Sequence, residues 1–296
     1  MEEIIAVRLM GGLGNQLFQY ATAYALAHRQ GKKLVLDTRF FDNYTLHGGF
    51  KLDRFSISAS LLDDRQRRQF PSWQIHLLER MPRLSRCLKQ WILEQRFRFQ
   101  PIECALSRPA NLVGYWQSEK YFAEFRDEII GEFQLLAPPP AKHWQHYETM
   151  QRRQSVAVHI RRGDYLSNPA ALKTHGFCSL GYYMRAMALL NEKLASPHFY
   201  LFSDDIDWTM QQFSTTEFAD HCTYVAGGSA EDDLWLMSKA KHHIIANSTF
   251  SWWAAWLAKH KEGKMVICPS PWFATEQLCE DDLIPAGWIK LDKNQE

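Results

Sequence analysis

Two adjacent arginines in the middle of the chain have the residue type and position expected of a phosphate-binding site. They are Arg161 and Arg162, within residues 159–164 (HIRRGD), directly after the hydrophobic segment 155–160. Because successive strand residues point to opposite faces, one arginine can reach a ligand while the other pairs with a carboxylate. A guanidinium group binds phosphate through two parallel hydrogen bonds and stays charged at any working pH. The motif predicts a phosphate site, and the alternative is a surface ion pair.

Three polar residues, Ser203, Asp204 and Asp205, follow the next hydrophobic segment, 198–203. A carboxylate at this position can accept hydrogen bonds from the edge of a guanine base, and Ser203 or Asp204 can cap the helix that follows. Asp205 also begins a D-x-D pattern, with which many sugar-nucleotide enzymes hold a divalent metal ion. No histidine or third carboxylate completes a metal site at recognisable spacing, so we predict none.

A further polar segment, residues 247–251 (NSTFS), lies between the hydrophobic residues 242–246 and a helical pattern rich in tryptophan. Hydroxyl groups at the start of a helix can both cap the helix and donate to a phosphate group. The neighbouring pair Trp252 and Trp253 either lines a sugar pocket or packs in the core. The candidate donor-binding residues here are Asn247, Ser248, Thr249, Phe250 and Ser251.

A glycine-rich turn, residues 11–16 (GGLGNQ), separates a predicted strand from a helical pattern. Such a turn brings backbone N–H groups and a helix start close to a ligand. It matches half of a dinucleotide fingerprint, with Asp37 ending the second strand, but Leu17 occupies the third glycine position. A ligand or acceptor loop, a nicotinamide or flavin site, and a purely structural turn all stay open. The candidate residues are Gly11, Gly12, Gly14, Asn15 and Gln16.

Residues 114–117 (GYWQ) lie at the end of the predicted strand 111–116. Their aromatic and amide side chains either face an acceptor sugar or belong to the core. From this segment we take Trp116 and Gln117 as candidate acceptor-side residues.

Hydrophobic periodicity assigns all of these motifs to the ends of strands in an α/β fold. The first half opens as strand 4–9, a helix and strand 32–37. We predict helices in residues 61–108, because this segment has few turn signals. In the second half, strands alternate with helices, which indicates a doubly wound parallel sheet. The strands predicted there are 155–160, 198–203, 222–226, 242–246 and 264–268, and the helices are 180–195, 205–213, 230–241 and 250–260.

The run APPPA at residues 137–141 is the strongest break in the pattern. It predicts a boundary between two lobes, 1–140 and 141–296, and a length of 296 residues suits two such lobes. Ligands in open α/β sheets bind beyond the carboxyl ends of the strands. The motifs are therefore expected to face a cleft between the lobes.

Composition restricts the class of partner. A net charge of +1 gives no support for binding to nucleic acid or to a membrane surface. The sequence has no run of 18 apolar residues, so we predict no integral membrane segment. The six cysteines lack zinc-site spacing, and the N-terminus lacks a signal-peptide pattern. We therefore expect a cytoplasmic bacterial protein, with a peripheral position at the inner membrane left open.

The ordered set of motifs resembles the α-1,2-fucosyltransferases of glycosyltransferase family 11. The matching segments are GGLGNQLFQYA, HIRRGDY, FSDD and ANSTFSWWAAWL. The resemblance implies a GT-B architecture of two Rossmann-like lobes with a cleft, in which the second lobe binds GDP-fucose and the first serves the acceptor. It also implies inverting transfer of L-fucose from GDP-β-L-fucose to the 2-hydroxyl of a terminal galactose in an oligosaccharide, without a metal or other cofactor.

The same resemblance implies individual roles. Arg161 would bind the β-phosphate, His159 and Asp205 would contact the guanosine end, and Arg162 would be mainly structural. Related α-1,6 enzymes carry a glutamate shortly after the arginine motif that is proposed as the base, whereas residues 165–174 supply no acid here.

The candidate general base is therefore Asp164, and Asn15 is the candidate residue that orients the acceptor. Other possibilities are a fucosyltransferase of another linkage, a non-catalytic glycan-binding protein, and an NAD-dependent oxidoreductase that uses Gly12, Gly14 and Asp37.

Overall fold

The computed structural model describes residues 3–44, 48–95, 97–102, 108–163, 169–259, 263–275 and 278–295. The chain divides into two compact units. The first comprises Met1–Leu136 with Asp281–Leu283, and the second comprises Ala137–Glu280 with Ile284–Glu296. Each unit has its own parallel β-sheet with helices packed around it.

The first unit is built on a five-stranded parallel sheet in the order β3-β2-β1-β5-β4. Its central strand is buried along its whole length, and the apolar face of helix α1 packs beside it, which is the pattern that the sequence predicts. Its strands are β1 (Ile4–Arg8), β2 (Lys33–Asp37), β3 (Ser60–Leu61), β4 (Trp91–Leu93) and β5 (Ala110–Val113). Its helices are α1 (Leu13–Arg29), α2 (Asp64–Gln69), α3 (Ser72–Arg80) and α4 (Arg126–Glu132).

The second unit is built on a six-stranded parallel sheet in the order β11-β10-β9-β6-β7-β8. Its core packs aliphatic strand residues against aromatic and aliphatic residues of the helices. Its strands are β6 (Gln154–Ile160), β7 (Pro197–Ser203), β8 (Cys222–Val225), β9 (His242–Ile244), β10 (Val266–Ser270) and β11 (Ile289–Asp292). Its helices are α5 (Ala141–Gln151), α6 (Pro169–His175), α7 (Leu180–Lys193), α8 (Ile206–Phe213), α9 (Ala230–Met237) and α10 (Thr249–Leu257).

The strand order reverses direction once in each sheet. In the second unit, the chain moves outward from β6 through β7 and β8, and then returns to place β9 on the other side of β6. In the first unit, β5 returns to the free side of β1 in the same way. Open α/β sheets bind ligands at such a reversal, beyond the carboxyl ends of the two strands.

The prediction of helices throughout residues 61–108 is wrong in part. Helices α2 and α3 lie there, but Trp91–Leu93 forms the edge strand β4, paired in parallel with β5. Trp91 is buried and packs edge-to-face on Phe70, so a tertiary contact stabilises a strand too short to show a period of two. Strand β11 was likewise not predicted from the sequence.

Candidate functional site

His159 lies at the end of β6, at the strand reversal of the second unit. It is 5% exposed, and its ring lies 5.2 Å from the ring of Phe250, at the start of α10. Burial, aided by the positive charge of Arg161 and opposed by Asp204, lowers the pKa of His159 to about 3. The imidazole is therefore neutral at physiological pH and can donate one hydrogen bond and accept another.

Arg162 is fixed by contacts with the loop that follows β7. Its backbone N–H donates to Oδ1 of Asp204 at 2.8 Å, and its Nη1 donates to Oδ2 of Asp205 at 2.9 Å. Its guanidinium carbon lies 4.3 Å from the ring centroid of Trp208, a cation–π distance. The contacts of Arg162 therefore connect the end of β6 to the end of β7.

Asp204 is held in its ionised form. Burial alone would raise its pKa, but hydrogen bonds from the N–H groups of Arg162 and Gly163, with the charge of Arg161, lower the pKa below its ordinary value. A half-buried arginine thus shares this edge with a stable carboxylate and a neutral imidazole. These groups can bind a phosphate and a nucleoside without changing protonation.

Ser203 and Asp205 form the cap of the next helix. The hydroxyl of Ser203 accepts from the N–H of Asp205 at 3.0 Å, and Oδ1 of Asp205 accepts from the N–H of Trp208 at 3.3 Å. The carboxylate of Asp205 therefore links the start of α8 to Arg162. The N-cap residue is therefore Asp205, and not Ser203 or Asp204 as the sequence suggested.

Asn247 and Ser251 make hydrogen bonds that shape the segment after β9. Nδ2 of Asn247 donates to the backbone oxygens of His175, Gly176 and Trp272, at 2.8–3.3 Å. The hydroxyl of Ser251, which is fully buried, donates to backbone oxygens just before it. Both side chains thus position the start of α10.

The first turn of α10 follows β9, the strand that pairs with β6 at the strand reversal. Ser248 is its N-cap residue, and Thr249 and Phe250 are half-buried at the helix start. The N–H groups of a first helical turn carry partial positive charge and favour an anion. Trp252 and Trp253 are fully buried, so the interpretation that they line a sugar pocket is wrong. Their rings pack against tryptophan rings of the same helix and belong to the core.

Asp164, the candidate base, lies outside the described residues.

In the first unit, the glycine-rich turn and the segment after β5 meet at the strand reversal. Gly11 has a φ of +74°, where a side chain would overlap Asn15, and Gly12 is the N-cap of α1, with Gly14 buried in its first turn. Nε2 of Gln117 donates to Oδ1 of Asn15 at 3.0 Å. Two candidate acceptor-side residues are therefore in direct contact.

Gln16 connects this turn to residues 48–51. Its Nε2 donates to the backbone oxygens of Gly11 and Gly49, at 3.0 and 2.9 Å, and its Oε1 accepts from the N–H of Lys51 at 3.0 Å. Because Gln16 is fully buried, these contacts fix the loop from inside.

Sequence reasoning missed Glu94, which follows β4. Its carboxylate accepts from the backbone N–H groups of Tyr115 and Trp116, at 2.6 and 2.9 Å. Burial raises the pKa of Glu94, although these two hydrogen bonds oppose that shift. No local signal marks this residue, because its partners lie about twenty positions further along the chain.

The environment of Asp37 argues against a dinucleotide site of the oxidoreductase type. Asp37 is fully buried; both carboxylate oxygens accept from the guanidinium of Arg39, at 2.8 and 2.7 Å, and Nδ2 of Asn111 donates to Oδ2. A ribose-binding carboxylate must face the ligand. This carboxylate instead neutralises a neighbouring arginine.

Among the described residues, no group of three or more histidine, cysteine, aspartate or glutamate side chains has the arrangement of a metal site. Within the same part of the chain, no helix is both long and apolar enough to cross a bilayer.

Comparison with known proteins identifies the family. The family model described as Glycosyl transferase family 11 matches residues 2–292. The chain belongs to glycosyltransferase family 11. It is a glycosyltransferase, as the resemblance of the ordered motifs implied.

Among family 11 relatives, an alpha-1,2-colitosyltransferase of Escherichia coli is 39% identical, over 98% of this chain and 99% of the relative. The O-antigen biosynthesis glycosyltransferase WbnK of Escherichia coli is 32% identical, over 96% and 99%. A galactoside 2-alpha-L-fucosyltransferase of Bos taurus is 27% identical, over 86% of this chain and 64% of its own length.

The fold matches solved fucosyltransferases. The fucosyltransferase NodZ from Bradyrhizobium superposes with a TM-score of 0.52 at 17% identity, over 86% of this family 11 chain and 92% of NodZ. A mutant of FUT1 from Arabidopsis thaliana, solved with GDP, gives 0.51 at 13% identity, over 99% and 77%. The chain thus has the GT-B type of α/β fold, with two parallel sheets.

Proposed function

We propose that this enzyme transfers L-fucose from GDP-β-L-fucose to the 2-hydroxyl of a terminal galactose, forming an α-1,2-fucoside with inversion. The observation that carries the proposal is the group of His159, Arg161 and Asp204 beside the start of α10, at the strand reversal of the second unit. Relatives described as galactoside 2-alpha-L-fucosyltransferases support the fucosyl group, the galactoside acceptor and the linkage.

Arg161 is the residue that stabilises the leaving diphosphate. In one-step inversion, negative charge develops on the diphosphate as the bond to fucose breaks. A preorganised guanidinium group and the N–H groups of a helix start supply positive charge at that point. Arg162 cannot substitute for it while its own guanidinium is bound to Asp205 and stacked on Trp208.

His159, Asp204 and Asp205 form the nucleoside side of the donor site. A neutral imidazole and a stable carboxylate offer fixed acceptors and donors to a guanine base and its ribose. Ser248, Thr249 and Phe250 complete the donor site, and Ser203, Asn247 and Ser251 support it from behind.

Asp164 is proposed as the general base that removes the proton of the attacking hydroxyl. Asn15, hydrogen-bonded to Gln117 in the first unit, is proposed to orient the acceptor. Asn15 cannot remove a proton at neutral pH, because an amide has no basic form there.

A second donor is favoured by a specific observation. The relative described as an alpha-1,2-colitosyltransferase is 39% identical over nearly the whole chain. Colitose is L-fucose without its 3-hydroxyl group, so the same diphosphate chemistry serves either sugar. The difference between the two donors would lie in contacts to the 3-position alone.

The deciding experiment measures GDP release from GDP-fucose and from GDP-colitose, with and without galactose-terminated acceptors, in buffer containing excess EDTA. We expect acceptor-dependent turnover without added metal, and an α-1,2 linkage in the product by NMR. Preference for GDP-colitose would replace the fucose donor. Turnover that requires Mn²⁺ would contradict the metal-independent mechanism. A product linked through another hydroxyl would contradict the linkage.

The acceptor is proposed to be a bacterial surface polysaccharide or its precursor, because a relative over the full length is described as an O-antigen biosynthesis glycosyltransferase. A panel of galactose-terminated oligosaccharides and free lactose tests this choice. A polysaccharide acceptor predicts better use of the longer acceptors.

A further inference from the structure

Two loops of the first unit hold aromatic residues in a left-handed backbone conformation. Phe97 has a φ of 50° and follows β4, and Trp116 has a φ of 56° and follows β5. This conformation is an outlier for bulky residues, and in the described chain Ser196 is the only other non-glycine residue that adopts it. Backbone strain of this kind persists where surrounding contacts impose it, and it is concentrated at ligand-binding and catalytic sites.

Glu94 imposes the conformation of the second loop. Its two carboxylate oxygens accept from the N–H groups of Tyr115 and Trp116, one each. A side chain on Gly114 would overlap the Cβ of Glu94, so only glycine fits between the two loops. Because each oxygen of Glu94 accepts from one backbone N–H group, the residue positions the turn.

Further contacts fix the same turn. Nε2 of Gln19 donates to the backbone oxygen of Gly114 at 3.1 Å, and the N–H of Ser118 donates to the oxygen of Trp116 at 2.8 Å. Trp116 itself is 3% exposed and packs edge-to-face on Tyr121, with ring centroids 5.4 Å apart. The turn is therefore anchored from the inside by Trp116.

The fixed loops present a pair of aromatic rings. Phe97 and Tyr115 stack with ring centroids 5.7 Å apart and an interplanar angle of 20°. Both side chains are half-buried, in contrast to Trp116, so part of the stacked pair is accessible. The adjacent residue Gln117 is also half-buried and makes the amide contact with Asn15.

This combination fits a sugar ring. A pyranose has an apolar C–H face, which packs on an aromatic ring, and a rim of hydroxyl groups, which bind amides. We propose that Phe97 and Tyr115 form a binding subsite for a pyranose ring of the acceptor glycan, and that Glu94 is its positioning residue. This inference rests on the proposed glycan acceptor.

The test compares Tyr115→Ala, Tyr115→Phe and Glu94→Gln with the unaltered enzyme. Loss of the ring is expected to raise the acceptor KM about tenfold, whereas Tyr115→Phe, which keeps the ring, stays within about twofold. Glu94→Gln should also raise the acceptor KM, because an amide cannot accept from both N–H groups. The donor KM and acceptor-free GDP release should not change in any variant. Glu124→Gln, at an exposed ion pair with Arg29, is the matched control.

Direct binding is measured by saturation-transfer NMR with a galactose-terminated oligosaccharide and no donor. Signals that are present with the unaltered protein and lost in Tyr115→Ala support the subsite. An unchanged acceptor KM in Tyr115→Ala, or equal increases in donor and acceptor KM, would overturn it. If Tyr115→Ala does not fold, Tyr115→Leu keeps the volume without the ring and is judged by the same criteria. Absence of GDP release by the unaltered enzyme would count against the proposed function, and the NMR result would still decide the subsite.

Discussion

The carboxyl edges of the two sheets have the same topology and different chemistry. In each, the strand order reverses beside the first strand of the unit, between β1 and β5 in one and between β6 and β9 in the other. The edge of the second unit carries charged groups: Arg161, Arg162, Asp204 and Asp205. The edge of the first unit carries amides and aromatic rings on a strained backbone.

The difference shows two ways of preparing a binding surface. In the second unit, charges are held by other charges and by backbone N–H groups, which suits a ligand that carries a diphosphate. In the first unit, neutral groups are held by a half-buried carboxylate and a glycine, which suits a ligand of hydroxyl groups and C–H faces. Substitutions at the two edges should therefore affect different kinetic steps.

The largest effect is expected from Arg161→Ala. Loss of a transition-state donor should lower both transfer and acceptor-free GDP release by roughly 10²-fold or more. Arg161→Lys should recover little activity, because a lysine ammonium group cannot form the two parallel hydrogen bonds that a guanidinium group makes to a phosphate. Arg152→Ala, at an exposed arginine before the same strand, is the matched control and should leave kcat unchanged. Near-normal turnover of Arg161→Ala would refute the leaving-group role and remove the contrast between the edges.

Gly114→Ala tests the strained edge by its effect on stability. The added methyl group would overlap Glu94, so we expect a loss of about 1–3 kcal/mol in the free energy of unfolding, measured by urea denaturation. Gly131→Ala is the control, because it lies in α4 with open space around it and should gain up to about 1 kcal/mol from helix propensity. Equal stability of the two variants would mean that Glu94 does not restrict the turn.

Asp204→Asn tests the charged edge by its pH dependence. The folded protein lowers the pKa of Asp204 below the ordinary 3.8, so the ionised carboxylate stabilises the fold above that pH and the stabilisation is lost as the pH falls through the folded pKa. The variant should melt below the unaltered protein at pH 7, and the difference in Tm should shrink toward pH 3. A difference independent of pH would show that the charge of Asp204 is not what the N–H groups stabilise.

His159→Gln should change how steeply the stability of the protein depends on pH. The pKa of His159 is lowered from 6.5 to about 3, so the unfolded chain takes up a proton below pH 6.5 that the folded protein does not bind. This group therefore lowers stability as the pH falls from 6.5 toward 3, by at most about 1.4 kcal/mol per pH unit. In the variant, the free energy of unfolding, measured with urea from pH 7 to pH 4.5, should therefore fall less steeply with decreasing pH. An unchanged slope would show that the folded protein protonates His159 as readily as the unfolded chain does.

The motifs and their strand-end positions could be predicted from the sequence because they depend on local patterns. Each consists of a hydrophobic run that ends in polar residues, and strands β6, β7 and β9 end within two residues of the prediction. The alternation of strands and helices likewise predicted the parallel sheet of the second unit. The three-residue strand β4 has too few residues for any period, and was missed.

The sequence by itself determined which residues follow strands, and therefore which polar groups gather at the carboxyl edges of parallel sheets. Only the tertiary structure decided that Arg162 binds Asp205, that Trp252 and Trp253 are core residues, and that Glu94 holds the turn after β5. The physical reason is that strand order and side-chain partners depend on packing between distant segments, whereas hydrophobic periodicity records only the environment of each segment.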